Sequence, residues 1–415
     1  MGPTPRAAVL VAVVAALALV VPLPLVLLGL VVVAAATVVD AASVRGDPGV
    51  SRTLGGILAR GVPTALEVKT TAGVAGRARV RQSVPPDFAV EPAEADDRLE
   101  AVVTASRRGR HPVADPAVRL TGPLGLGRWY HGGRGETEVL VYPDLPAARR
   151  LAQAVRQGKL GAEGRRIRGP LGLGTDFESV REYAPDDDVR RINWRATARL
   201  GRPMTNQYRI DQNRDVVCLV DTGRLMAAPL GDRSRLDAAL DAVTAVAVVA
   251  EEVGDRCGVV AFDTEIRREV RPRRAGASAV LQGVFDLESR PVDSDYELAF
   301  TAVARSKRSF VLLITDLLEE SAARPLLDAV PILARRHVVA VATVTDPGVS
   351  ELVRRPPTTP FDVYAAAVAH DVLDARAVVS ARLARAGAEV VEAGPDAFSA
   401  ACVSTYLRAK YRARL

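Results

Sequence analysis

The stretch Asp215-Val-Val-Cys-Leu-Val-Asp221 decides the fold of the larger part of this chain. Its five central residues are apolar, which is typical of a short strand buried on both faces of a parallel sheet. A second such run, Phe310-Val-Leu-Leu-Ile-Thr315, is also followed by an aspartate, Asp316. Because the carboxyl ends of parallel strands meet at one edge of a sheet, we expect Asp221 and Asp316 to stand at that edge.

Further strands and helices alternate around these two runs. Apolar runs predict strands at 257–262, 338–343 and 389–392, and the alternation at 265–272 predicts an edge strand. Helices are predicted between them at 236–253, 277–287, 296–304, 322–335 and 362–386, with a final helix from Asp396. This order predicts an α/β domain at 214–415, with a mainly parallel sheet covered by helices on both faces.

Composition sets limits on function and compartment. The 415 residues carry a net charge of +6, and the basic residues are spread along the chain beside acids, which argues against nucleic-acid binding and favours anionic lipid as an acidic partner. Cys218, Cys257 and Cys402 lie apart in apolar stretches and form neither a disulfide framework nor a metal spacing. We expect buried thiols in a reducing compartment.

The first part of the chain is apolar enough for a membrane. No charged residue occurs from 7 to 39, and the prolines of Val21-Pro-Leu-Pro24 divide this run. A transmembrane helical hairpin at 1–40 is therefore predicted, followed by a juxtamembrane linker at 41–61. Arg6 precedes the run and Arg45, Arg52 and Arg60 follow it, so the positive-inside rule predicts a two-helix protein of the cell membrane with cytoplasmic soluble domains. The alternative is a signal peptide cleaved near 34–36 or 41–43.

Residues 62–143 predict a small β-sandwich-like domain. Short alternating runs at 66–68, 78–84, 99–105, 118–120 and 138–142 are the candidate strands, and Pro, Gly and Asp clusters separate them. The sequence Gly-Pro-Leu-Gly-Leu-Gly occurs at 122–127 and again at 169–174. Neither copy is followed by Lys-Ser/Thr, so both are interpreted as tight turns rather than phosphate loops.

A charged segment links the two domains. Residues 144–213 begin with a predicted helix at 146–158 and continue into a run of opposed charges with one tryptophan, Trp194. Asp188 is predicted to cap a helix at 189–200 on which Arg191, Arg195 and Arg199 form one stripe. Two interpretations stay open, a brace between the domains and a recognition surface, since Arg and Trp are common in interface hot spots.

The two strand-end aspartates also raise the question of a metal. Asp221-Thr-Gly-Arg-Leu225 resembles the start of the metal-ion-dependent adhesion site of von Willebrand factor A domains, and Asp316 matches a later acid of that site. Gly223 and Leu225 stand where the resemblance requires serines. Asp221 and Asp316 are therefore candidate Mg²⁺ ligands in a degenerate site, and the alternative places the Arg224 guanidinium where a cation would sit.

Catalytic motifs are not found in the sequence. The four histidines are far apart, and neither His-Glu-x-x-His nor Gly-x-Ser-x-Gly occurs. We expect a protein that is not an enzyme and has no cofactor. A cryptic metal-dependent hydrolase tied to Asp221 or Asp316 is the weakest alternative.

The charged segment is similar to the signature of a known family. Phe177-x-x-x-Arg181-Glu-Tyr-x-Pro, Asp187-Asp-x-Arg190-x-Ile-Asn-Trp194 and Ala198-Arg199 resemble the domain-of-unknown-function-58 family of membrane-anchored bacterial proteins, although Asp186 replaces the usual glycine. The resemblance implies a hairpin anchor, a β-rich domain and a von Willebrand factor A-like domain. It also implies a partnership with MoxR-type AAA+ ATPases.

The resemblance therefore implies a membrane-anchored adaptor that binds such an ATPase or its client proteins. The predicted contact residues are Arg181, Asp187, Asp188, Arg190, Trp194 and Arg199. A metal-dependent adhesion-type module is the rival. The basic tail 408–414 is interpreted as a solvated helix end or as a contact with anionic headgroups.

Overall fold

The computed structural model describes residues 1–70, 76–133, 135–158, 171–184, 187–209, 214–304, 306–316 and 320–411. Contacts divide the chain into two compact units, Met1–Tyr142 and Pro143–Leu415. Each unit has a hydrophobic core of its own. Four residues that were assigned to a turn or to the basic tail lie outside the described residues: Pro185, Asp186, Arg412 and Arg414. The first two residues of the second Gly-Pro-Leu-Gly-Leu-Gly copy also lie outside them, and the other four, 171–174, belong to a strand, so the tight turn predicted for this copy is wrong there.

Two apolar helices open the first unit. Helix α1 spans Pro5–Ala16, a 3-10 turn follows at Leu17–Leu19, and α2 spans Leu23–Ser43. The break falls at the two prolines because a proline lacks the N–H that a helix interior needs, yet fits the first turn of α2. The helices touch where Gly29 faces Val14, and a Cβ at Gly29 would stand 3.0 Å from that valine's Cγ1. Only α2, among the described helices, is long and apolar enough to cross a membrane by itself.

The rest of the first unit is β-structure around one core. Its strands are β1 Gly2–Pro3, β2 Val50–Thr53, β3 Ile57–Ala59, β4 Thr64–Thr70, β5 Arg77–Arg81, β6 Phe88–Glu91, β7 Glu94–Asp96, β8 Arg98–Ala105, β9 Gly109–Ala114, β10 Ala117–Thr121, β11 Gly127–His131 and β12 Glu136–Tyr142. They form three sheets in the orders β1-β11-β10-β5-β7, β3-β12-β9 and β2-β4-β8-β6. Burial alternates along β8, as expected of a strand with one face on a core. All five predicted runs lie in or overlap strands.

The first Gly-Pro-Leu-Gly-Leu-Gly copy is a tight turn, as predicted. Gly125 donates its N–H to the Gly122 carbonyl at 2.9 Å, and Gly122 donates to Gly127 at 3.0 Å. A Cβ at Gly127 would stand 2.4 Å from backbone atoms of Thr37 and Ala41. Glycine is required there because α2 packs directly against the turn.

The second unit contains the long alternating part of the chain. Its helices are α3 Leu145–Arg156, α4 Trp194–Leu200, α5 Arg235–Glu252, α6 Ala277–Val284, α7 Tyr296–Ala304, α8 Glu320–Ala334, α9 Pro347–Arg354, α10 Pro360–Arg385 and α11 Phe398–Tyr411. Its strands are β13 Leu171–Glu182, β14 Met204–Arg209, β15 Asp215–Asp221, β16 Pro229–Leu230, β17 Arg233–Ser234, β18 Arg256–Phe262, β19 Ile266–Arg273, β20 Ser309–Ile314, β21 Val338–Val344 and β22 Glu389–Ala393. Helix α9 was not predicted.

Six of these strands form one sheet in the order β19-β18-β15-β20-β21-β22. The five strands from β18 to β22 in that order are parallel, and β19 pairs antiparallel at the edge, as the alternation at 265–272 predicted. Along β15, Val216 and Cys218 enter one core cluster while Val217 and Leu219 enter another. Both faces of the sheet are therefore covered, and the chain is a mixed α/β protein. The three cysteines are buried free thiols.

Candidate functional site

The charged segment forms a two-stranded ribbon with an insertion at its tip. Strand β13 pairs antiparallel with β14, and the register brings Arg181 opposite Thr205 and Glu182 opposite Met204. The chain between the strands holds a 3-10 turn at Val189–Arg191 and the short helix α4. This insertion contains most of the predicted contact residues.

Asp187 holds the first half of the insertion. Its carboxylate accepts a hydrogen bond from Arg181 Nη2 at 2.5 Å and another from the Ala184 N–H at 2.9 Å. The Tyr183 hydroxyl donates to the Asp187 carbonyl at 3.2 Å. Arg181 and Asp187 therefore serve to fix the backbone of the insertion, and their side chains are largely committed to each other.

The predicted single helix at 189–200 is wrong. Asp188 caps only the 3-10 turn, by accepting the Arg190 N–H at 3.0 Å. Ile192 is then extended and bridges to Thr205, and Asn193 caps a new helix by accepting the Ala196 N–H at 3.0 Å. The helix breaks because this cross-strand pairing competes with helical geometry. No continuous stripe of Arg191, Arg195 and Arg199 is formed along one helix.

Two residues that the sequence analysis did not select hold the second half. Asn193 donates from its side-chain amide to Asn206 Oδ1 at 2.7 Å, and Thr197 Oγ1 accepts the Met204 N–H at 3.0 Å. An Asn followed by a short run without Gly or Pro is an N-cap signal, and it was available in the sequence. Asn193 and Thr197 thus hold the second half of the insertion to β14.

The outward side of the insertion combines an aromatic and several cations. Trp194 is 70% exposed although it is the first residue of α4, and Val189 is 65% exposed. Arg190, Arg195 and Arg199 are also exposed. Among the described residues, none of these three arginines has an ion-pair partner. Fixed backbone with an exposed Trp and free guanidinium groups is typical of a protein-recognition surface.

At the carboxyl edge of the large sheet, Asp221 is surrounded by donors. Its Oδ1 accepts the Gly223 N–H at 2.8 Å and the Ser294 hydroxyl, and its Oδ2 accepts the Thr315 hydroxyl at 2.6 Å and the Tyr296 hydroxyl at 3.2 Å. Burial raises the pKa of Tyr296 above its usual range, and the Asp221 charge acts in the same direction. Tyr296 therefore stays protonated and donates.

Asp316 is held by two buried arginines. Arg235, the first residue of α5, contacts Asp316 Oδ2, and Arg376 from α10 donates to Oδ1 at 3.2 Å. All three side chains are at least nine-tenths buried. Burial, with the charge of Arg376 in second place, lowers the pKa of Arg235 to about 10, so the group stays charged at neutral pH. We call Arg235, Asp316 and Arg376 the buried triad.

The proposed role of Arg224 beside these acids is wrong. Its Nε pairs with Asp293 at the surface, at 2.5 Å, and both side chains are mostly exposed. The guanidinium groups beside Asp316 come instead from Arg235 and Arg376. Nothing in the sequence marked these two, because an arginine at a helix start or within a long helix is usually solvated.

The predicted magnesium ligands do not fit a divalent cation as they are arranged. Each carboxylate oxygen of Asp221 and Asp316 already faces a protein donor or a guanidinium group. Within the described chain, no group of three or more His, Cys, Asp or Glu side chains has metal-site geometry. A serine at 223 would also be excluded, because a Cβ there would stand 2.8 Å from the Val292 carbonyl oxygen. A cation would have to displace two buried positive charges.

Comparison with known proteins identifies the family of one region of the chain. Uncharacterized proteins of Mycobacterium tuberculosis and Mycobacterium bovis are each 28% identical to it over 220 residues, which cover 51% of this chain and 68% of theirs. WR4, a C. elegans MSP family member of known structure, matches 23% of this chain and 97% of its own at 9% identity, but the TM-score of 0.15 supports no fold assignment. The family model described as "Protein of unknown function DUF58" matches residues 179–358, from β13 to the loop before α10. This region, which contains most of the ribbon and the buried triad's Arg235 and Asp316, belongs to the DUF58 family.

Proposed function

We propose that this protein is a membrane-anchored, non-enzymatic adaptor that binds a MoxR-type AAA+ ATPase or its client proteins. The observation that carries the proposal is the exposed Trp194 on an insertion whose backbone is fixed by internal hydrogen bonds. The MoxR-type ATPase is proposed as the partner because the ribbon sequence resembles the domain-of-unknown-function-58 family, and that resemblance implies such a partnership.

Preorganisation favours a binding role for this surface. A loop that is ordered before it binds loses little conformational entropy on binding, so more of the contact energy appears as affinity. Asp187 and Asn193 provide that order, while no described residue pairs with the side chains of Trp194 and Arg190 and would compete with a ligand. A Trp buried at the centre of an interface contributes about 2 kcal/mol or more.

The anchor is proposed to be a two-helix hairpin. Thr4, the cap of α1, donates its N–H to the Leu126 carbonyl at 2.9 Å, and Asp40, near the end of α2, accepts the Leu126 N–H at 2.8 Å. Both ends of the helix pair therefore return to the same turn. Residues 23–39 form about 25 Å of helix at 1.5 Å per residue, which a locally thinned bilayer accommodates. The flanking arginines favour the cytoplasmic side for both ends.

The large sheet is proposed to be a von Willebrand factor A-like domain without its metal chemistry. Parallel strands with one antiparallel edge, and aspartates after β15 and β20, support this assignment. The rival function, metal-dependent adhesion, is disfavoured by the buried triad. Asp221 and Asp316 have structural partners rather than free lone pairs, which also weighs against a hydrolase.

Affinity purification from mild-detergent membrane extracts tests the adaptor function. Full-length protein and an Arg190→Ala/Trp194→Ala variant would be compared with and without ATP, and bound proteins identified by mass spectrometry. A matched control changes Arg354→Ala/Phe361→Ala, an exposed cation and aromatic on α9 and α10 of the same unit. We expect an AAA+ ATPase with wild type and control and its loss with the variant. No AAA+ ATPase with any sample refutes the ATPase partnership, and equal recovery with the variant refutes the assignment of the binding surface.

A further inference from the structure

Three arginines from distant parts of the sequence lie around the ends of the helix pair, where it meets β11 and the turn at 122–127. The Arg6 guanidinium lies over Gly125, with Nη1 3.2 Å from where a Cβ would stand. Arg128 follows the turn in β11, opposite Gly2, and its Nε would lie 3.7 Å from a Cβ on that glycine. Arg45, two residues beyond α2, lies over the ring of Trp129 in the same strand. The fold thus places cations that are up to 122 residues apart, from 6 to 128, around the ends of the helix pair and on both faces of β11.

Aromatic side chains accompany these arginines. The Arg45 guanidinium is 5.7 Å from the centre of the Trp129 ring, and that of Arg128 is 5.5 Å from the Tyr130 ring. Tyr130 is 52% exposed, and Leu124 at the tip of the turn is 62% exposed. Trp and Tyr beside Arg, at the ends of apolar helices, is the composition found where proteins meet lipid headgroups.

The three charges are not neutralised within the protein. Among the described residues, Arg6, Arg45 and Arg128 have no carboxylate within ion-pair distance, and Arg128 Nε is buried without a hydrogen-bond partner. Asp40, the acid closest to the turn, is saturated by the N–H groups of Leu124, Leu126 and Gly127 at 2.8–2.9 Å. Each of these guanidinium groups therefore has capacity for an anion from outside.

We infer that Arg6, Arg45 and Arg128, with Trp129 and Tyr130, form a collar that binds the phosphate of anionic phospholipid headgroups. This inference rests on the proposed membrane anchor. Lipid is favoured over free phosphate because these residues lie where the two apolar helices join the strands of the first unit. Lipid headgroups would stand at this level if the helices cross a membrane. The basic tail is the weaker candidate for headgroup binding, because its Arg408 already pairs with Glu389 at 2.9 Å.

Spin-label lipid selectivity tests the collar. Full-length protein would be reconstituted in phosphatidylcholine vesicles with spin-labelled phosphatidylglycerol or phosphatidylcholine, and electron paramagnetic resonance would give the relative association constant of the two lipids. One arginine near an anionic surface corresponds to about a fivefold preference. We expect at least that preference for phosphatidylglycerol, and its loss in Arg6→Gln/Arg45→Gln/Arg128→Gln.

The controls separate this inference from the anchor itself. Arg110→Gln, on the exposed face of β9 in the same unit, keeps the preference. Excess inorganic phosphate lowers the preference only if the site binds free phosphate, which would overturn the assignment to lipid. Extraction of the vesicles at alkaline pH shows whether the chain is integral. An integral chain with equal association of both lipids refutes the collar alone, whereas an extracted chain refutes the anchor and the collar with it.

Discussion

Asp316→Asn is expected to destabilise the large sheet more than any surface charge change in this protein. The substitution keeps the shape of the side chain but removes the negative charge that Arg235 and Arg376 contact. Both guanidinium groups then stay buried, and among the described residues neither has another carboxylate within ion-pair distance. Arg235 belongs to α5, which precedes β20 in the chain, and Arg376 belongs to α10, which follows it. When these two side chains lose their contact with Asp316, both helices are held less tightly at the edge of the sheet.

The magnitude follows from burial. Removing one member of a fully buried ion pair costs about 3–5 kcal/mol, since the remaining charge stays desolvated. With a urea slope of about 3 kcal/mol per M, the unfolding midpoint would fall by about 1–1.7 M. Asp293→Asn is the matched control, because Asp293 pairs with Arg224 in solvent, where such a pair contributes little.

Urea unfolding of full-length protein in mild detergent, read by hydrogen exchange in β15 and β20, measures this sheet separately from the anchor. A third variant, Arg235→Met/Asp316→Leu/Arg376→Met, removes all three charges and should recover most of the loss, since the desolvation penalty leaves with them. The reasoning is refuted if Asp316→Asn behaves like Asp293→Asn. It is equally refuted if Mg²⁺ raises, or a chelator lowers, the wild-type midpoint, because the triad would then not be the partner of Asp316.

Two further perturbations test other parts of the structure. Burial, with the charge of Arg336 in second place, lowers the pKa of His337 below its ordinary value of 6.5, so the unfolded chain takes up the proton first and stability falls as the pH drops below about 6.5. His337→Leu should therefore remove part of the acid loss between about pH 7 and pH 5, measured by urea unfolding, whereas an unchanged pH dependence would contradict it. Gly127→Ala should accelerate hydrogen exchange at the Leu124 and Leu126 amides, because the new Cβ would collide with the backbone of α2; Gly132→Ala, which has open space, should not.

The buried sheet was predictable because its signal is local. Each inner strand is a short run of apolar residues between polar flanks, and such a run satisfies a sheet covered on both faces whatever its partners are. The prolines at 22 and 24 likewise predicted the break between α1 and α2 from the chemistry of one residue type. The strands of the first unit were predicted less completely, because strands of three or four residues, such as β3 and β6, have too few positions to show an alternating pattern.

The tip of the ribbon was misread for a different reason. Its sequence permits a helix from Asp188 onward, and only the bridge between Ile192 and Thr205 prevents it. That bridge depends on the register of β13 with β14, and no short-range pattern encodes that register. The error changed the interpretation of the site. Arg191 lies in the 3-10 turn and does not share a helix with Arg195 and Arg199, and Trp194 is the exposed first residue of α4.

The carboxyl edge shows why the identity of a site cannot be read from its acids alone. Sequence position correctly assigned Asp221 and Asp316 to strand ends, where a cation or a ligand commonly binds. What decides between a metal and a structural role is the set of groups facing the carboxylates, and these come from Ser294, Tyr296, Arg235 and Arg376, far away in the chain. A buried carboxylate needs a positive partner, and two guanidinium groups meet that need as completely as a divalent cation does. We therefore expect this edge to tolerate the loss of cations but not the loss of Asp316.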